Sequence, residues 1–403
     1  MDVILMNEDI LFNSLKLPNG VVLENRFVLS PMVTNSSTKK GFVTEEDLKY
    51  AKRRAKSAPM QITGAAYVDE YGQLFEFGFS AAKDEDIEGL KKLANVMKSE
   101  NGLAILQLTH AGRFSSHTLA KHGFVYGPSE MKLNFPINHE VKKLTVKQIE
   151  NLVKAYENAT IRAIKAGFDG IEISSAQRLL IQTFFSKFSN ERLDEYGCKT
   201  LKSRSKFALD ILKAVQKVIN ENAPKNFIFG FRATPEETRG NQIGYSIDEF
   251  MEFLRLVVKD INLDYLAIAS WGHDVFRNKV RSSGKYYGQL INKVIKENFK
   301  NIPVMANGGI NTYDKIKEAL NYVDLVGLST PLVVDPEFLQ KIKEGRTQDI
   351  NFKITFSDLE SLAIPKASFK DIVPLMDYGE SIPKETRELF RKLSINYIKG
   401  EDL

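Results

Sequence analysis

The chain reads as an α/β protein, a TIM (β/α)8 barrel in a single domain, on three observations. Eight short and almost continuously apolar runs alternate with amphipathic helical patterns from residue 27 to about residue 345, as strands buried on both faces of a parallel sheet do. Eight strands with interleaved helices over roughly 300 residues fit a closed barrel better than an open doubly wound sheet. No G-x-G-x-x-G follows the first run, where a doubly wound dinucleotide-binding fold would carry it.

The elements follow in order. Strand 27–30 precedes a helix at 44–55, and strand 61–64 precedes a helix at 84–99. After strand 104–108 comes a long connection, 109–144, rich in His, Gly, Pro, Ser and Asn; its length predicts a functional lid or a disordered segment. The helix at 146–166 has the clearest start, because Thr145 can cap it with Gln148 three positions on. Strand 170–173 and helix 201–220 follow, then strand 228–232 and helix 246–259. Strand 265–269, helix 285–298, strand 303–306, helix 313–320 and strand 325–328 complete the repeat. Residues 1–347 form the barrel. Residues 348–403, reached without a glycine-rich linker, form a charged, mostly helical extension packed on it.

Composition narrows the classes. A chain of 403 residues, 43% hydrophobic, is long enough for one large core. The net charge of +5 comes from 56 basic and 51 acidic residues, with no Lys/Arg run interleaved with aromatics, so no nucleic-acid partner is expected. The single cysteine, Cys198, excludes disulfides, cysteine-rich zinc sites and cysteine-ligated clusters within one chain. His117, His122 and His139 show no metal-site spacing, and no metal is expected. The N-terminus has an early acid and no apolar core of a signal peptide, and no run approaches the roughly 18 apolar residues of a membrane span. A cytoplasmic protein without a membrane partner is expected, and a homo-oligomer is left open.

In a TIM barrel the C-terminal strand ends face the active site. The first carries Ser30-Pro31-Met32-Val33-Thr34-Asn35, preceded by Glu24-Asn25-Arg26, and the second Thr63-Gly64-Ala65. The third carries Gln107-Leu-Thr-His110-Ala-Gly112-Arg113, the fourth Ser174-Ser175-Ala176-Gln177-Arg178-Leu179, and the fifth Gly230-Phe-Arg232-Ala-Thr-Pro-Glu-Glu. The seventh carries Asn307-Gly308-Gly309-Ile310. The eighth carries Ser329-Thr330-Pro331-Leu332 and then Asp335-Pro336. Singly these are turns and surface residues. In this order, R-F-V-L-S-P-M, Q-L-x-H-A-G-R, G-x-R-x-[ST]-P-E-E, G-G-I and P-L-x-x-D-P resemble the NADH:flavin oxidoreductase family of old yellow enzyme over about residues 10–345.

The resemblance implies one FMN and NADH or NADPH as hydride donor. Arg232 would sit beside flavin N1 and O2, where negative charge gathers, by the logic of an oxyanion hole. Gln107 would satisfy N3–H and O2 with its carboxamide. Backbone groups of Pro31, Met32 and Ala65 would line the ring. The phosphate would rest on amides of Gly308, Gly309, Ser329 and Thr330; relatives often have Arg where Thr330 stands. Val33 replaces the Thr or Cys that faces flavin O4 in relatives and offers it no donor.

The fourth strand departs from the pattern. Its segment, Asp169 to Leu179, resembles D-G-[VI]-E-I-H-x-A-[HN]-G-Y-L, with Ser174 and Gln177 at the substrate-gripping positions, Arg178 for Gly and Leu179 for the proton-donating Tyr. Ser174, Gln177 and Arg178 are therefore candidate substrate contacts; Arg178 could clamp a carboxylate or phosphate, or serve only in a salt bridge beside a helix cap. Tyr67 and His273 are the substitute acids, His273 because imidazole titrates near neutrality. Glu237 and Asp335 read as barrel-stabilising. The expected activity is an FMN-dependent oxidoreductase that takes hydride from NAD(P)H and passes electrons to a small-molecule acceptor: a quinone, a flavin or an activated alkene. The alternatives are a non-catalytic flavin-binding protein and, disfavoured by the position of Cys198, an RNA-modifying flavin barrel.

Overall fold

Eight parallel strands close on themselves: β1 (Phe27–Leu29), β2 (Met60–Ile62), β3 (Leu103–Thr109), β4 (Gly170–Ser175), β5 (Ile228–Ala233), β6 (Tyr265–Ile268), β7 (Val304–Asn307) and β8 (Leu325–Leu328). Each pairs with its successor, and β8 pairs with β1 in parallel register, Val326 opposite Phe27. The computed structural model describes residues 11–134, 137–365 and 372–398. The N-terminal stretch read above for a targeting signal falls mostly outside them, as do the last residues of the extension. Among the described residues no helix is long and apolar enough to cross a membrane.

The apolar runs conceal a period of two, because both faces of each strand are buried. One set of side chains, including Val28, Met60, Ile62, Ile105, Ile228, Tyr265, Met305 and Leu325, clusters inside the barrel. The alternate set, such as Phe27, Leu106, Ile171, Phe229, Leu266, Val304 and Val326, packs outward under the helices. Leu17 and Leu23, from a small N-terminal hairpin, join the inner cluster. That hairpin closes the end opposite the candidate site: Asn19 binds Asp264 and the carbonyls of Asn226 and Phe227, just before β6 and β5.

The surrounding helices are α1 (Glu45–Arg54), α2 (Ile87–Met97), α3 (Val146–Lys165), α4 (Leu201–Asn222), α5 (Ile247–Asp260), α6 (Ile291–Asn298), α7 (Tyr313–Leu320) and α8 (Phe338–Lys343). Thr145 and Gln148 form the expected capping box of α3. Two expectations are corrected. Helix α6 begins only at Ile291, not at residue 285: Gly284 and Gly288 hold positive φ of 138° and 78°, and turns occupy the intervening chain. Positive φ at successive glycines is incompatible with a right-handed helix. The long connection after β3 is not irregular; it holds a helix, Ser116–His122, and a three-stranded sheet of Phe124–Gly127, His139–Lys143 and Met131–Leu133. Leu119, Val125 and Val141 give it a small core of its own.

The C-terminal extension contributes α9 (Val373–Gly379) and α10 (Lys384–Ile398). Ile354, Leu362, Ile372, Met376 and Phe390 from this region cluster with Tyr50, Val333 and Val334 of the barrel. Arg54 ties the layers together. Its fully buried guanidinium donates to the carbonyls of Leu332 (3.1 Å), Tyr50 (3.0 Å), Val333 (2.6 Å) and Leu362 (3.0 Å). Burial pulls its pKa down to about 10, so it stays charged at neutral pH. Replacing Arg54 with Met should cost about 3 kcal/mol, since several buried carbonyls lose their donor at once. Urea unfolding should read that loss, and limited proteolysis should cut the extension of the variant first.

Candidate active site

Towards the C-terminal ends of β3, β4 and β5 the inward positions change from apolar to polar. Ile105 is followed inward by Gln107, Gly170 by Glu172, and Gly230 by Arg232. Glu172 is fully buried, and one of its oxygens, Oε1, accepts from Gln107 Nε2 and from Arg232 Nε, each at 2.7 Å. Arg232 Nη2 lies 3.5 Å from Oε2. A buried carboxylate persists only when paired and hydrogen-bonded, and here two strands on either side supply the partners. The arrangement leaves Arg232 Nη1, Gln107 Oε1 and one Gln107 N–H without protein partners among the described residues. Below it, Tyr265 fills the barrel axis; a Cβ on Gly230 would stand 2.1 Å from its ring. Burial holds the Tyr265 phenol well above its ordinary pKa, so it stays neutral.

The ends of β7, β8 and β1 form the second part. Asn307 Oδ1 accepts from Ser30 Oγ at 2.5 Å, and its Nδ2 donates to Ile268 and Met305 carbonyls. Gly327 permits this approach, because a Cβ there would stand 2.1 Å from Asn307 Oδ1. Beyond Asn307 the chain turns through Gly308 and Gly309 with φ of 87° and 85°, conformations glycine adopts without strain. The amides of Gly308, Gly309, Ser329 and Thr330 donate to no protein atom among the described residues. The extension abuts this corner: the Thr330 and Ser381 hydroxyls are hydrogen-bonded, and Asn311 donates to the Ser381 carbonyl at 2.8 Å. Asp274 packs against Gly309 and is neutralised by Lys315 and Arg277, both at 2.7 Å. The loop after β1 is pinned by buried Asp47, which accepts from Thr34, Ser36 and Ser37.

The turn after β4 is strained. Gln177 and Arg178 have φ of 56° and 63° in succession, which costs a non-glycine residue about 1–2 kcal/mol each. Three side-chain hydrogen bonds hold the turn: Gln177 N to Thr234 Oγ1 (2.9 Å), Arg178 N to Gln182 Oε1 (2.6 Å), and Trp271 Nε1 to the Gln177 carbonyl (3.2 Å). Arg178 Nε lies 3.5 Å from buried Glu237, whose same oxygen meets Arg239 at 3.3 Å. Gln177, Arg178, Glu237, Trp271 and Tyr378 of α9 line one cleft. Ser174 is buried one step below, in register with Arg232.

The substitute acids fare poorly. Tyr67 is packed beneath the loop after β1, its hydroxyl aimed at the Lys40 carbonyl (3.4 Å), and burial raises its pKa. It is better placed for packing than for proton transfer. His273 is largely exposed, 4.0 Å from Asp274, and does not line the cleft. Glu237, read from sequence as a stabiliser, is buried between Arg178 and Arg239 in the wall of the cleft. Met32 and Val33 lie against the apolar cluster of the extension, and Pro31 and Ala65 are partly exposed nearby on the β1 and β2 loops. Sequence reasoning missed Glu172, although its place two residues before Ser174 and inward-facing was a usable signal. It also missed Trp271, Tyr378 and Ser381, which no local pattern ties to the site.

Comparisons with known proteins agree with this architecture. The family model described as NADH:flavin oxidoreductase / NADH oxidase matches residues 10–349. An uncharacterised oxidoreductase of Streptococcus pyogenes serotype M5 (strain Manfredo) is 66% identical over 96% of this chain and 97% of its own. A probable NADH-dependent flavin oxidoreductase of Bacillus subtilis (strain 168) is 32% identical over 90% of this chain and 95% of its own. The old yellow enzyme homologue of Zymomonas mobilis superposes with a TM-score of 0.71 at 21% identity, covering 83% of this chain and 92% of that one, a likeness of fold.

Replacing Glu172 with Gln should destabilise the protein by about 3–5 kcal/mol, because Arg232 is left buried without its counter-charge. Chemical denaturation tests this. A variant as stable as wild type would mean that the pair carries no structural load.

Proposed function

The chain belongs to the NADH:flavin oxidoreductase / NADH oxidase family, and we propose from that premise how its residues hold the cofactor and which acceptors they suit. It is an NAD(P)H-dependent flavin oxidoreductase, with FMN and a nicotinamide as its cofactors. The donor set fits FMN. The free Nη1 of Arg232 suits a ring edge on which negative charge gathers. The free carbonyl and N–H of Gln107 suit the alternating donor and acceptor of N3–H and O2. The four unpartnered amides at Gly308, Gly309, Ser329 and Thr330 suit a phosphate, with the Ser381–Thr330 contact closing that corner. Pro31, Met32, Val33 and Ala65 form the adjoining wall. When bound, FMN supplies the redox chemistry, taking hydride from the nicotinamide and returning the electrons to an acceptor.

The observation that carries this reading is the shared carboxylate of Glu172. It orients Gln107 and Arg232 together before any ligand arrives, so their free groups are preorganised. The acceptor follows from the fourth-strand turn. Leu179 cannot donate a proton, and Ser174 and Gln177 polarise a carbonyl only as neutral groups. Tyr67 is buried and His273 lies off the cleft. Quinones and free flavins, which need no carbon protonation at the site, therefore suit it better than activated alkenes. The oligomeric state is left to solution measurement.

Three outcomes are expected. Replacing Arg232 with Ala should weaken FMN binding by about 10- to 150-fold, the loss of one charge-assisted hydrogen bond, read by fluorescence titration of the apoprotein. In the holoprotein, anaerobic NADH should bleach the visible flavin band. Turnover with benzoquinone should exceed that with cyclohexenone by about 10²–10⁴-fold, the usual contribution of general acid catalysis. Equal rates would mean that another group supplies the proton. No bleaching at all would favour a non-catalytic flavin-binding protein.

A further inference from the structure

The cleft beside the β4 turn is unusually rich in cations. Arg178, Lys279 and Arg281 line it, with Glu236 and Glu237 as its carboxylates. Arg113 and Arg239 stand behind Glu237. The two carboxylates are already engaged. Glu237 is shared between Arg178 and Arg239. Glu236 accepts from the Arg281 and Ser282 amides at 2.8 and 3.1 Å and from the Ser282 hydroxyl at 2.8 Å. Arg113 makes no ion pair among the described residues; it lies over the Phe114 ring and beside Met131, and burial lowers its pKa to about 10. Positive charge thus exceeds what the protein neutralises.

Arg178 is the member presented for binding. Its Nε is turned to Glu237, and neither terminal nitrogen makes a hydrogen bond among the described residues. The side chain is 40% exposed. The backbone beneath it is strained and held by three hydrogen bonds, so the guanidinium is offered from a rigid platform. Strain retained at a cleft points to a role in binding, because a glycine at φ of 63° would relieve it. Trp271 supplies an aromatic surface in the same cleft, fixed by its bond to the Gln177 carbonyl.

We infer that Arg178 is the anchor for the carboxylate of a planar, anionic electron acceptor, whose unsaturated body lies against Trp271. The free fork of the guanidinium matches a carboxylate in two parallel hydrogen bonds. The inference rests on the reading of the chain as an NAD(P)H-dependent flavin oxidoreductase and narrows its acceptor further, to one that carries a carboxylate.

The test uses FMN-loaded holoprotein and two probes of equal shape, benzoate and the neutral benzamide, titrated by calorimetry. Wild type should bind benzoate at least about 10-fold more tightly, as a charge-assisted pair requires. Arg178→Gln should bring benzoate to the level of benzamide. Arg178→Lys should recover only part of the preference, since it restores the charge without the fork. Arg178→Gly, whose backbone accepts the turn without strain, should show the same loss as Gln and so exclude misfolding as its cause. Equal binding of the two probes by wild type would overturn the inference, as would a preference for benzoate that survives in Arg178→Gln. So would a variant in which benzoate binding is intact but the NADH concentration for half-maximal bleaching rises, because the arginine would then serve the dinucleotide. Anaerobic bleaching of wild type by NADH separates the two readings. If it succeeds while the probe preference is absent, only the anionic acceptor fails; if it fails, the oxidoreductase reading fails with it.

Discussion

One buried charge organises the mouth of this barrel. Glu172 is inaccessible to water, and its pairing with Arg232 and Gln107 makes its burial tolerable. The same contacts decide where the two partner side chains point. A carboxylate on the middle strand of three therefore converts three separate strand ends into one rigid donor and acceptor array. Tyr265 beneath and Gly230 beside it complete the layer, the glycine being absent of side chain because the phenol ring occupies that space.

In the opposite half of the mouth an uncharged carboxamide ties the strand ends. Asn307 bridges β7 to Ser30 after β1 and to the Ile268 carbonyl of β6, so three strand ends are tied through one carboxamide. Paired glycines then turn the chain with its amides unpartnered. The extension matters to both halves. Its apolar face covers Met32 and Val33, its Ser381 reaches Thr330, and Tyr378 of α9 enters the cleft on the far side. Arg54 reaches it through the Leu362 carbonyl while holding the Leu332 and Val333 carbonyls after β8, contacts insensitive to the side chains at those positions.

The turn after β4 departs from the pattern that the family resemblance implies. Where relatives are expected to use glycine, the chain places arginine in the left-handed region and keeps the turn by capping it with Thr234, Gln182 and Trp271. The hydrogen-bonding residues thus come from the end of β5, where Thr234 follows it, from the helix at Leu180–Phe185 and from the loop after β6. A positive cleft lines the turn where the resemblance implies paired imidazoles and a phenol, and the acceptor proposed above, one that brings a charge rather than needing a proton, rests on that difference.

Local sequence was enough for the barrel. Short apolar runs, helical periodicity and a capping box at Thr145 are consequences of neighbouring residues, and all eight strands and the start of α3 follow from them. The strand-end motifs likewise announced Gln107, Arg232 and the Gly308–Gly309 turn, because barrel topology puts strand C-termini on one face whatever else varies. The start of α6 was misjudged because glycine conformation, not periodicity, ended the turn before it. The sheet within residues 109–144 was missed because its strands are short and pair in an order, Phe124–Gly127 beside His139–Lys143 beside Met131–Leu133, that no periodicity encodes. What only the tertiary structure decided was which polar groups are spent and which remain free. That Glu172 consumes Arg232 Nε, that Arg178 reaches Glu237, that Tyr67 is buried and that Tyr378 reaches the cleft all depend on contacts between residues tens to hundreds of positions apart. Such contacts arise from packing in three dimensions, and a one-dimensional pattern carries no trace of them.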